Sequence, residues 1–320
     1  MTENNITPPS RVRQIEINDD NEGQRIDNFL FAKLKGVPKS RVYRIVRKGE
    51  VRVNKGRIRP DYRLKPGDIV RIPPIRVAEG GTPQNQRLPA LEKRLRKGIL
   101  YEDPNLLILN KPSGVAVHGG SGVSQGVIET LRAAQPEIRF LELVHRLDRD
   151  TSGCLIIAKK RSTLRILHEL LRRDGIDKRY LALVEGRWQG GKQQVDVPLR
   201  KNQLSSGERI VRVDPQGKSA VTLFKPVWRY RQATLVEVKL ITGRTHQIRV
   251  HAAHIGHPVA GDEKYGNPAF NKIIRATGLS RLFLHAHSLD FKLAPDATPV
   301  RVTAPLEDEL SAVLDRLEGQ

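Results

Sequence analysis

Positive charge in this chain is concentrated in one short stretch. Between Arg25 and Arg76, 52 residues hold 16 Lys+Arg against 4 Asp+Glu, a net +12 out of a whole-chain formal charge of +21. More than half of the charge thus lies in one sixth of the sequence, and a small module that repels itself so strongly calls for a polyanion to neutralise it, a nucleic acid or an anionic membrane surface. The apolar pattern inside the window says what kind of module it is. In IDNFLFAKL, Ile26, Phe29, Leu30 and Lys33 fall at helical spacing. In PKSRVYRIVRKGEV a second helix starts after Ser40, with Val42, Ile45 and Val46 as its buried stripe and Arg41, Arg44, Arg47 and Lys48 around the rest, until Gly49 stops it. Val51 and Val53 then alternate with Arg52 and Asn54, and LKPGDIVRI adds a Pro-Gly turn and a short strand. The expectation is a helix-helix-strand unit with a basic helix on its surface. A merely solvated helix face is the alternative, and it leaves the excess charge unexplained.

The rest of the chain divides around this unit. Residues 1–20 are polar, carry Pro8 and Pro9, and read as a flexible arm; the basic module runs over 21–80, and 81–97 read as a linker that turns helical near ALEKRLRK. A larger domain is expected over 98–320. ILYEDPNLLILNKPSG alternates turn and strand signals, and RSTLRILHELLRR is an amphipathic helix through Leu164, Leu167 and Leu171. KRYLALVEG, AVTLFKPVW, ATLVEVKLIT and LFLHAHSLDFKL are strand-like, GRTHQIRVHAAHIG is helical through Ile248, Ala252 and Ile255, and EDELSAVLDRL closes the chain as a helix. Many strands with few interspersed helices predict an α+β fold with a mixed, mostly antiparallel sheet. With one cysteine, Cys154, no intramolecular disulfide is possible. The absence of an 18-residue apolar run and of a leader pattern argues against membrane spanning and secretion, so the cytoplasm is the expected compartment.

The densest polar cluster is His145, Arg146, Asp148, Arg149, Asp150, Thr151 and Ser152, closed by Gly153 between two apolar runs. Such a loop on a rigid frame is where reacting groups are held, and a carboxylate beside arginines is kept ionised for work as nucleophile, base or ligand. Spacing alone does not choose between Asp148 and Asp150, and a salt-bridged turn would use the same residues. GRTHQIRVH offers Arg244, His246, Gln247, Arg249 and His251, with an arginine at the helix start able to clamp a carboxylate or phosphate. Histidines 246, 251, 254, 257, 285 and 287, with Asp148 or Asp262 as an oxygen donor, raise a metal centre as an alternative, yet no HxxxH or HExxH element is present. NKPSG and VHGGSGVSQG match neither nucleotide-binding glycine motif. Tyr180, just inside a strand, suits the core or a stack on an extruded base.

Arg25 to Arg71 resembles an S4 RNA-binding domain. HRLDRDTSG, KRYLALVEG and LITGRTHQIRVHAAHIGHPVAGDEKYG resemble the RluA-type family of pseudouridine synthases, in that order and over nearly everything from Gln24 onward. The resemblance implies the pseudouridine synthase fold and an RNA isomerase acting on several uridines of 23S ribosomal RNA. It implies a monomer that needs no cofactor, metal, membrane or protein partner. It makes Asp148 the catalytic aspartate and Tyr180 the aromatic that stacks on the target base and takes part in proton removal. It gives Arg244 as the cation paired with the aspartate, and Arg146 as the arginine that holds the flipped nucleotide or its vacated place. RNA contacts are expected from Arg41, Arg44, Lys48, Arg52 and Arg249. A non-catalytic assembly factor on the same fold would not need the aspartate, tyrosine and arginine together, and a metal-dependent nuclease would lose activity on chelation.

Overall fold

The computed structural model describes residues 12–34, 37–75, 88–119, 125–203 and 209–318, and the chain forms two compact units that meet in sequence at Asn85 and Gln86. The first unit contains β1 (Arg13–Glu16), α1 (Ile26–Lys33), α2 (Lys39–Arg47), β2 (Arg52–Val53), β3 (Gly56–Arg57) and β4 (Ile69–Ile72). Its four strands form one antiparallel sheet in the order β1-β4-β2-β3. Ile26, Phe29 and Leu30 of α1 and Val42, Ile45 and Val46 of α2 are buried with Val51, Val53, Val70 and Ile72 in a single core, which leaves Arg44, Arg47 and Lys48 exposed and Arg41 half-buried. The two apolar stripes therefore do what their spacing predicts. The flexible arm expected over 1–20 is corrected from Arg13 onward: Arg13–Glu16 pair antiparallel with Ile69–Ile72, and Ile17 is buried. Only Ile15 and Ile17 alternate in that polar stretch, too little to read as a strand, because its pairing comes from the exposed edge of β4 and not from its own side chains. Residues 1–11 lie outside the described residues.

The second unit begins with α3 (Leu88–Lys97), so the helical end of the expected linker is an ordered helix whose Leu95 is buried in the larger core. There follow β5 (Ile99–Glu102), β6 (Leu106–Lys111), α4 (Val127–Ala134), β7 (Glu142–Leu143), β8 (Ser152–Ala158), α5 (Arg161–Arg172) and β9 (Asp177–Glu185). The chain continues through β10 (Gln193–Asp196), β11 (Leu199–Gln203), β12 (Arg209–Val213), β13 (Val221–Arg229), β14 (Ala233–Leu240) and α6 (Gln247–His254). It ends with α7 (Pro268–Arg275), β15 (Leu284–Phe291), β16 (Val300–Thr303) and α8 (Asp308–Glu318). Ten strands form one sheet along the path β10-β13-β14-β9-β15-β8-β6-β5, with β16 beside β15 and β7 beside β8, while β11 and β12 pair as a separate hairpin. Among the described residues the β15–β8 pairing is the one parallel pairing, so the sheet is mixed and mostly antiparallel. Every residue of β8 is buried, as expected of a strand covered on both faces. No helix among the described residues is long and apolar enough to cross a membrane.

One register line across this sheet positions the site. Lys111 of β6 pairs with Gly153 of β8, Gly153 with Ala286 of β15, Ala286 with Tyr180 of β9, and Tyr180 with Val238 of β14. Gly153 is required in that line: its φ is +104°, and a Cβ there would collide with the backbone of Ala286. The close approach it permits brings the polar loop before β8 against the centre of the sheet, on the same line as Tyr180.

Candidate active site

The loop from His145 to Thr151 is anchored at both ends and from below. Val144 N donates to Ile156 O at 3.1 Å, and Ile156 N donates to Nε2 of His145 at 3.1 Å. Burial pushes the His145 imidazole down to about 4, so it stays neutral and accepts that bond. Beneath the loop, the buried Lys111 Nζ donates to the carbonyls of Pro112, Val115 and Arg149 at 2.9, 2.8 and 3.0 Å. Desolvation lowers this ammonium to about 7. Ser113 Oγ donates to Asp150 O at 2.7 Å, and Thr151 N closes a turn onto Asp148 O at 3.2 Å. The NKPSG segment, which no nucleotide motif explained, is thus the floor under the aspartate loop. Asp150 pairs outward with Arg149, whereas the Asp148 carboxylate, 21% exposed, lines a cavity.

The opposite wall comes from the turn between β14 and α6. Gln247 is buried and fully used. Its Oε1 accepts from Arg244 N and Thr242 Oγ1 at 2.9 and 2.8 Å, and its Nε2 donates to Val221 O and Thr222 Oγ1 at 3.0 and 2.9 Å. That amide stitches the turn to β13 and fixes where α6 starts. His246, at the helix N-cap, takes a left-handed φ of +53°. Arg249, one turn inside the helix, reaches back toward the loop: Nη1 lies 3.7 Å from Asp148 Oδ2. Its Nε and Nη2 donate to the two oxygens of Asp262 at 2.6 and 2.7 Å, and its guanidinium lies 5.0 Å above the Tyr265 ring. Asp262 also accepts the backbone N–H groups of Lys264 and Tyr265. Arg249 and these amides hold the Asp262 carboxyl below the usual range in spite of its burial.

The expected cation partner of Asp148 is therefore corrected: it is Arg249, not Arg244. Because α6 begins only at Gln247, Arg244 lies in the preceding turn, where it lines the cavity but donates Nε to Ser219 O at 3.0 Å. Arg249, expected among the RNA contacts, is 10% exposed and has its fork occupied by Asp262, so it is part of the wall and not a surface phosphate contact. The cavity, of about 590 Å³, also takes in Tyr180, Arg146, Lys178 and His246. Burial, with Asp148 nearby, raises the Tyr180 phenol well above its ordinary range. Arg146 is exposed at the rim. Arg41, Arg44, Lys48 and Arg52 belong to the first unit, where Arg52 donates Nε to Gly49 O at 3.2 Å. Sequence reasoning missed Lys111, Tyr265 and Lys178, and saw Asp262 only as a metal-oxygen donor. A lysine closing the apolar run of β6, directly before Pro112, was the available signal for Lys111.

Three of the six histidines that suggested a metal are engaged with other partners. His251 bonds Thr222 Oγ1 and Val197 O, His257 bonds Glu185 O, and His285 bonds Ser152 Oγ and Ala304 O. Among the described residues no group of three or more His, Cys, Asp or Glu is arranged to hold a metal ion.

Comparison with known proteins adds the relatives. Residues 105–254 match the RNA pseudouridylate synthase family and residues 24–70 match the S4 domain. The chain is 57% identical over 310 residues to the ribosomal large subunit pseudouridine synthase C of Pasteurella multocida, covering 97% of this chain and 95% of that protein. It is 56% identical over 319 residues to the protein of the same name from Escherichia coli K12, covering 98% and 99%. Among solved structures, human RNA pseudouridylate synthase domain containing 4 superposes with a TM-score of 0.61 at 27% identity, covering 72% of this chain and 97% of that one.

Proposed function

The chain belongs to the pseudouridine synthase family and carries an S4 RNA-binding domain, and we propose that it isomerises several uridines of 23S ribosomal RNA to pseudouridine, using Asp148 and no cofactor. The observation that carries the site assignment is the Asp148–Arg249 pair on a cavity walled by Tyr180. A guanidinium fixed by its own buried carboxylate faces Asp148 as a preset cation and costs no reorganisation during the reaction.

In the proposed reaction the C1′–N1 bond breaks, the detached uracil turns within the cavity, and C5 joins C1′. C5 loses a proton and N1 gains one, so atoms balance without any added group. Asp148 acts either as a nucleophile at C1′, released again when C5 bonds to C1′, or as the base that takes the C2′ proton in elimination to a glycal and returns it when C5 adds to C1′, and either route needs its carboxylate form. The Tyr180 phenol, kept protonated by burial, suits stacking on the base better than taking the C5 proton directly. Arg146 at the rim holds the flipped nucleotide or its vacated place, and Arg41, Arg44, Lys48 and Arg52 contribute phosphate contacts. Ribosomal RNA as substrate and a lone cysteine support action in the cytoplasm. In this reading the chain acts as a monomer without a protein partner, as the family resemblance implies.

The test is Asp148→Asn with 23S ribosomal RNA in vitro, read by carbodiimide mapping of pseudouridine and by RNA affinity. Product should vanish while affinity stays within about twofold of wild type, since one neutralised internal carboxylate leaves the phosphate-binding groups in place. An active Asn variant would refute the role of Asp148.

A further inference from the structure

His246 is the one cavity residue with strained backbone, and the structure accounts for how that strain is held. Its φ of +53° is unusual for a residue with a Cβ. The ring is clamped from behind by Tyr265, whose hydroxyl lies 2.8 Å from Nδ1 and whose ring meets the imidazole edge-on at 5.5 Å. The same hydroxyl accepts from Val211 N at 3.0 Å, so its own hydrogen is available to Nδ1. A proton on the other nitrogen, Nε2, is favoured further by the Asp148 carboxylate, whose Oδ2 lies 3.8 Å away. His246 therefore presents an N–H donor into the cavity beside the carboxylate acceptor.

The gap of 3.8 Å is too long for a direct hydrogen bond. It fits a third group lying about 2.8 Å from both atoms, one that accepts from Nε2–H and donates to the carboxylate. A hydroxyl does both. If Asp148 acts at C1′, the substrate hydroxyl nearest to it is the one on the adjacent ribose carbon. Resting on the proposed function, we propose that His246 and Asp148 together bind the ribose 2′-hydroxyl of the target nucleotide, with Tyr265 as the positioning residue that fixes the imidazole. This makes the cavity selective for a ribonucleotide at the target itself, in addition to whatever selects RNA around it.

The test uses an RNA oligonucleotide carrying one mapped target uridine, made also with 2′-deoxyuridine at that position, and compares single-turnover rates. Removing the 2′-hydroxyl changes the intrinsic reactivity of the glycosidic bond equally for every variant. The informative quantity is therefore the uridine to deoxyuridine rate ratio of a variant relative to wild type. For His246→Gly and His246→Asn, both of which accept a left-handed backbone, the ratio should fall about 10- to 100-fold, because uridine slows and deoxyuridine does not. Tyr265→Phe keeps the ring under Arg249 and should lower the ratio by about 3- to 10-fold. Equal slowing of both substrates by the His246 variants, or an unchanged ratio in Tyr265→Phe, would overturn the proposal. If the His246 variants do not fold, as judged by thermal unfolding, the Tyr265→Phe ratio decides alone. Failure of the underlying function would look different: wild type would make no pseudouridine from the uridine substrate.

Discussion

Asp148 and Arg249 face each other across the cavity at 3.7 Å, and Arg249 is held in that position by a two-pronged bond to the fully buried Asp262. The Asp148 carboxylate thus faces a cation that is itself fixed by a second, buried carboxylate. Removing Arg249 has two consequences that separate in experiment. Arg249→Met leaves Asp262 as an uncompensated buried charge and should cost about 3–5 kcal/mol of stability. Arg249→Lys keeps a charge but loses the fork, and should lower single-turnover rate by roughly 100-fold with a much smaller stability loss. Arg244→Ala, away from the pair, should retain most of the chemical rate. Urea unfolding and single-turnover kinetics on the three variants check the order; an Arg244 variant as slow as Arg249→Lys would contradict it.

The Arg249–Asp262 bond also predicts an acid sensitivity. The Asp262 carboxyl is lowered in the fold from its ordinary 3.8, so the native state binds this proton less readily than the unfolded chain. Its contribution to stability is complete above the ordinary value and is lost as pH falls through the lower native value. Urea midpoints of the wild type should therefore drop below about pH 4, and Asp262→Asn should be less stable at neutral pH with that part of the acid slope missing. Equal slopes for both proteins below pH 4 would argue against it.

Lys111 links the floor of the site to its chemistry. Replacing it by Met leaves the carbonyls of Pro112, Val115 and Arg149 without their donor, at a cost of about 3 kcal/mol or more. The loop carrying Asp148 loses its support from below, so turnover should fall beyond what the fraction of folded protein explains, while RNA affinity is retained. Urea unfolding paired with kinetics at a temperature where the variant is folded measures both.

In the S4 domain, Arg41, Arg44 and Lys48 extend from a helix whose apolar stripe is buried in the domain's own core. Neutralising all three should weaken RNA binding at low salt and flatten the salt dependence, by about 1 in log–log slope for each phosphate that no longer meets a cation. Affinity measured at several salt concentrations decides; no change in slope would make this a solvated face.

Much of this arrangement was legible in the sequence where side chains dictate backbone. The stripes of α1 and α2 and the continuous apolar run of β8 bury what their period predicts, and His145, Arg146, Asp148 and Thr151 of the polar cluster line the cavity. What escaped was set by tertiary pairing. β1 exists because β4 offers it an edge. The exchange of Arg249 for Arg244 turns on where α6 begins, which Gln247 determines through four hydrogen bonds to residues up to 26 positions away. Tyr265 and Lys111 act through partners 19 and 38 residues distant in sequence, and no local pattern marks such partners.

Pseudouridine formation in 23S ribosomal RNA through Asp148 is tested by carbodiimide mapping of that RNA from cells lacking the gene, complemented with wild type or with Asp148→Asn. Pseudouridine should be lost at several discrete positions and restored by wild type but not by the Asn variant. Unchanged 23S modification in the deleted strain, or restoration by Asp148→Asn, would contradict the proposed function.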